Sequence, residues 1–257
     1  MRALALPAAL LLSFLLYLCF PKLSEYAASG IRRLYALLLP RFTRKDGAAD
    51  DRPALAVFCL MLSGAAALIG AVHPIVSALI CAALFPGLSI LPQSAAIKDE
   101  LDSGLYARDI PAYESRVRTA CASLAPAFVS DVCAPLLLIA LGTTLYLGTA
   151  LGTAWLCLRA LCSENRDAMR IVTLLLRPAD AVMRAMMMLC SGVVGRNPTR
   201  TSGGRAKERL ISILGIAGDE TDTHAPMAGD IAQGVFLCCF AVVLLCVMLT
   251  FVLLAVC

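Results

Sequence analysis

The chain has 257 residues, of which 60% are hydrophobic and 16% charged, with a mean hydropathy of +0.82 and a formal charge of +4. Ordinary soluble domains are about half apolar and about a quarter charged, so this composition excludes one and predicts a single helical membrane domain over residues 1–257. Its apolar length comes in blocks near the ~20 residues that carry a helix across a bilayer, without the alternation of a membrane barrel. The expected fold is all-α: a polytopic integral membrane protein with hairpin or re-entrant helices and amphipathic cytoplasmic helices.

The first block, residues 4–20, follows Arg2 and is followed by Pro21, Lys22 and a basic amphipathic stretch. No small-x-small cleavage pattern precedes that charge, so the block is predicted as a retained helix. Residues 54–91 are too long for one span and are predicted as two, 54–72 and 75–91, turning at His73-Pro74. His73 has no second ligand near it in sequence and is expected at the interface.

A third apolar block gives spans 132–147 and 148–161, interrupted by Pro135, Gly142, Thr143, Thr144, Gly148, Gly152 and Thr153. Small residues there suit a re-entrant element or close helix packing equally. Residues 171–194 contain Arg177, Pro178, Asp180 and Arg184, charges too costly to face lipid, so the segment is interfacial or cavity-facing. Asp180 and Arg184 lie one helical turn apart and are expected to pair with each other. Met183, Met186, Met187 and Met188 read as packing. Residues 196–229 form a polar loop in which Gly203-Gly204, with Arg200, Arg205 and Lys207, could cradle a phosphate, although a flexible basic loop is commoner. The last span, 231–257, carries no charge after Asp230.

Basic residues set the expected orientation. Lys22, Arg32, Arg33, Arg41, Arg44, Lys45 and Arg52 follow the first helix, and the loops around 98–118, 159–170 and 196–209 are also basic, which puts all four inside. The location implied is the cell membrane, multi-pass, with membrane lipid as partner and no nucleic acid. Twelve cysteines contain no Cys-x-x-Cys pair and mostly fall in apolar segments, where they behave as small hydrophobes. No phosphate-binding loop, Gly-x-Ser-x-Gly elbow or His-Glu-x-x-His pair is present. A small-solute transporter has little support, because no inverted repeat is evident.

An acid at the edge of an apolar segment needs a partner, water or a function, and CASLAPAFVSDVCAPLLLIALG, residues 121–142, has Ser130-Asp131 there. With the preceding LPQSAAIKDELDSGLYARDIPAYESRVRTA, this region resembles the cobinamide-phosphate synthase family (CobD/CbiB) of cobalamin biosynthesis. That family carries Glu-Ser-x-x-Glu-Asn-x-x-Asp-Gly-x-x-Ala-Pro-Leu; Ser123, Ala125, Val132, Ala134, Pro135 and Leu136 match it. Leu158-Arg159-Ala160, RPADAVMRAMMML and GRAKERLISILGIAGDETDTHAPMAGDI are similar to later family elements, so the resemblance spans most of residues 90–245. The family's two acids and its asparagine fall on Ala122, Pro126 and Ala127, and its Asp-Gly falls on Ser130-Asp131 one residue out of register.

The resemblance implies an ATP- and Mg-dependent ligase joining aminopropanol, or its phosphate, to adenosylcobyric acid through an amide bond. It implies Asp131, Ser130 and Ser123 as catalytic residues, Asp131, Asp180, Asp230 and Glu164 as metal ligands, and Arg159, Arg177, Arg184 and Arg205 as substrate or phosphate ligands. A corrinoid substrate and other corrin-pathway proteins would be the partners. The alternative expectation is a catalytically degenerate regulatory or scaffold membrane protein similar to AmpE, a relative involved in β-lactamase induction.

Overall fold

The computed structural model describes residues 5–19, 23–42, 51–72, 74–83, 90–104, 106, 109–144, 147–194, 204–216 and 224–256. Among these, eleven α-helices follow in chain order: α1 (Ala5–Cys19), α2 (Leu23–Leu38), α3 (Asp51–Val72), α4 (Pro74–Ala83), α5 (Ile90–Asp102), α6 (Ile110–Phe128), α7 (Ala134–Thr144), α8 (Gly148–Leu161), α9 (Arg166–Cys190), α10 (Ala206–Leu214) and α11 (Ala228–Val256). A five-residue π-helical turn, Val129–Cys133, joins α6 to α7, so Ile110–Thr144 is one helix. No strand occurs among the described residues.

Three helices among the described residues are long and apolar enough to cross a membrane: Arg52–Val72, Ile110–Thr144 and Ala228–Val256. At 1.5 Å per residue even the shortest spans about 31 Å, matching the ~30 Å hydrocarbon thickness. Two of them, Arg52–Val72 and Ala228–Val256, expose large apolar side chains. On α3, Leu60 and Leu68 are each 75% exposed, and on α11, Phe251 and Val252 also stand outward. Exposed apolar helix surface on this scale belongs in lipid. The chain is an all-α membrane protein.

The helices gather into two compact units. The first comprises Met1–Pro86, Ala134–Arg177 and Cys246–Cys257. Within it α8 packs against α3 and α7, and α1 packs against α4. Trp155 and Leu161 of α8 and Leu136 of α7 are buried in its core. Close approach is set by glycine. A Cβ at Gly142 would stand 2.8 Å from backbone atoms of Leu147 and Gly148, and one at Gly70 would stand 2.9 Å from Thr149. Gly142 also ties α7 to α8 directly, its carbonyl accepting the Leu147 amide at 2.7 Å. Pro74 starts α4, where its missing N–H costs nothing; His73 lies outside the described residues.

The second unit comprises Gly87–Cys133 and Pro178–Leu245. Here α6 packs against α10 and, through Leu124, against Gly234 of α11. Residues 196–229, expected as a polar loop, contain α10. The reason is local: Leu210, Ile213 and Leu214 recur at helical spacing and are fully buried, the Glu208 carboxylate accepts the Arg205 amide at 3.0 Å, and Gly215 closes the helix at φ 73°. Gly203 and Arg200 of the supposed phosphate cradle lie outside the described residues. On α5, Glu100 accepts from the Tyr106 hydroxyl at 2.9 Å and from Arg116 at 3.2 Å, which together hold its carboxyl below the usual range. Lys98 is raised by Asp102, one turn away.

Candidate functional site

The Ser130-Asp131 pair sits inside the π turn. Its neighbours explain why the helix widens there. Pro126 and Pro135 each lack an amide donor, so the helical hydrogen-bond ladder is broken on both sides of the pair. Ser130 is buried; its hydroxyl donates to Asp131 Oδ1 at 2.7 Å and lies 3.2 Å from the Ala127 carbonyl. Asp131 is half-buried. The Cys133 thiol donates to the Ala179 carbonyl at 3.5 Å, which fastens the turn to α9 beside Asp180. Ser123, one of the expected catalytic residues, is exposed on α6 and bonds back to the Ala120 carbonyl at 2.7 Å. That is an ordinary bond of a helical serine to its preceding turn.

Asp180 and Arg184 do not close on each other as their spacing suggested. Both hold the start of α10. The Asp180 carboxylate accepts the Ala206 amide at 3.1 and 3.3 Å, and Arg184 donates to the Gly204 carbonyl. A carboxylate at a helix N-terminus meets an unpaired amide and the positive end of the helix dipole, which accounts for the preference. Arg205 itself caps α10 through its backbone, with its side chain exposed.

Asp230 does the same for α11 from within. It is 3% exposed, and its carboxylate accepts the Met227 amide at 2.8 Å in a reversed capping arrangement. His224 Nε2 reaches both of its oxygens, at 2.9 and 3.0 Å. The Tyr113 hydroxyl of α6 accepts the next amide, that of Ala228, at 2.9 Å. His224 and Tyr113 were not singled out by sequence; the only signal was an isolated histidine six residues before an acid.

The remaining expected residues lie in the first unit. Glu164 is exposed and stands 4.0 Å from Arg32. Arg159 is exposed near the end of α8, and Arg177 is exposed on α9. Between them Asn165 caps α9, accepting the Asp167 and Ala168 amides at 2.9 and 3.0 Å, and its amide donates to the buried Tyr35 hydroxyl at 3.3 Å.

Among the described residues no group of three or more His, Cys, Asp or Glu is placed to hold a metal ion. Asp180 and Asp230 each direct both oxygens to partners at a helix start, and Asp131 is engaged by Ser130. This donor set does not fit a shared Mg²⁺, which requires converging oxygens about 2.0–2.1 Å from the ion. Compared with known proteins, the chain matches no protein-family model, no curated protein and no solved structure.

Proposed function

We propose that this chain is a multi-pass protein of the cell membrane, with its basic loops in the cytoplasm, that serves as a scaffold or regulator and not as an amide-forming ligase. The observation that carries this reading is the use of Asp180 and Asp230 to fix the starts of α10 and α11. Phosphoryl transfer needs carboxylates free to hold Mg²⁺ against phosphate oxygens. Carboxylates that cap helices instead fix a surface, which suits a protein that presents helices to a partner.

One observation favours the ligase as a second reading. The π turn that holds Ser130-Asp131 docks through Cys133 on Ala179, the residue before Asp180, and π turns recur at functional sites. On that reading the substrates would be ATP, aminopropanol or its phosphate, and adenosylcobyric acid. Complementation separates the two: a cobalamin auxotroph lacking its own synthase stays auxotrophic when this chain is expressed in its membrane, whereas growth without cobalamin would favour the ligase. Reporter fusions after residues 45 and 209 test the sidedness, since both are expected to report a cytoplasmic position.

A further inference from the structure

The first half of α9 carries a stripe of arginines that none of the structural tasks above uses. Arg166, Arg170 and Arg177 fall within an arc of about 40° at 100° per residue, so they share one face. With Met169, Thr173 and Leu174 they line a groove of about 490 Å³. Arg170 is 3.7 Å from Asp167, which also accepts from Arg52 at 3.1 Å; among the described residues Arg166 and Arg177 have no carboxylate partner. The groove is strongly cationic but its walls are greasy. Met169 is 57% exposed and Leu174 64%.

This combination limits what can occupy the face. A free phosphate has no use for exposed methionine and leucine, whereas a phospholipid brings a phosphate and an acyl chain together. Geometry adds a second constraint. Arg166 and Arg177 are separated by about 16 Å along the axis, so a helix standing upright in the bilayer would bury one of them in hydrocarbon. Lying along the surface, it holds all three guanidinium groups at headgroup depth with the apolar side chains beneath. We propose that the Arg166–Arg177 face of α9 lies in the headgroup layer and binds the phosphate of anionic phospholipids. It rests on the membrane reading alone and holds whether the protein is a scaffold or an enzyme.

Full-length protein in nanodiscs containing trace spin-labelled phosphatidylglycerol or phosphatidylcholine tests it, by the fraction of each label that is motionally restricted. The wild-type chain is expected to retain phosphatidylglycerol at least about threefold more strongly than phosphatidylcholine, a preference weakened by salt. In R166Q/R170Q/R177Q the ratio falls towards one, and in R166K/R170K/R177K most of it returns. Equal retention of both lipids by the wild type, or an unchanged preference in the glutamine variant, overturns the proposal. So does loss of the preference on adding millimolar inorganic phosphate at constant ionic strength, which would assign the groove to a soluble ligand. A glutamine variant that leaves the membrane fraction would instead count against the membrane reading; one that stays there with its preference intact would sink only the lipid site.

Discussion

Replacing Asp230 separates a structural acid from a catalytic one. In Asp230→Ala the Met227 amide loses its cap, worth about 1 kcal/mol. His224 loses a charge-assisted bond in a buried setting, worth about 1.5–3 kcal/mol. Together these destabilise the fold by about 3 kcal/mol, which for a chain of this size lowers Tm by roughly 6–12 °C. Asp230→Asn keeps an oxygen for the Met227 amide and loses the charge, so it should fall by about half as much. The assay is thermal unfolding in detergent micelles followed by a thiol-reactive dye, because Cys121 and Cys238, in the same unit, are fully buried and react only on opening. Unfolding of Asp230→Ala at the wild-type temperature would refute the assignment of this acid to the start of α11.

Asp180→Ala should raise hydrogen exchange of the α10 amides by roughly tenfold, through loss of the bond to Ala206, while Asp180→Asn changes it far less. Equal exchange in both variants would show that α10 does not depend on that carboxylate. Gly142→Ala forces a Cβ against the Leu147 backbone and should destabilise the packing of α7 on α8 by about 2 kcal/mol. Gly64→Ala meets nothing within 4 Å and should be neutral or slightly stabilising; matched Tm values for the two would contradict the close approach. Glu100, its carboxyl lowered first by the Tyr106 hydroxyl and then by Arg116, contributes stability that is present above about pH 4.5 and lost as pH falls through the lowered value. Exchange in α5 should rise at acid pH in the wild type and lose that dependence in Glu100→Gln; a rise that persists in the variant would point to another group.

The apolar blocks made the all-helical membrane architecture legible because bilayer length and continuous hydrophobicity are local properties of the chain. Partners were not local. Ala228 finds Tyr113 115 positions away and Ala206 finds Asp180 26 positions away, so no spacing rule could distinguish an acid that caps a helix from one that binds a metal. The spacing of Asp180 and Arg184 was real, and both point to one place, but the orphan groups at the start of α10 compete for them. The π turn was half visible: Pro135 interrupts the apolar block, yet which residues would absorb the disturbance depends on how Cys133 docks on Ala179. Helix α10 was missed because its polar flanks outweighed three buried residues at helical spacing.

Whether these carboxylates hold helices or Mg²⁺ is tested most directly by one measurement. Purified protein in nanodiscs is supplied with ATP, Mg²⁺, adenosylcobyric acid and aminopropanol phosphate, and corrinoid products are separated by mass. The predicted result is unchanged adenosylcobyric acid after many hours. Formation of the amide product, abolished in Asp180→Asn or Asp230→Asn variants that keep the wild-type Tm, would contradict it.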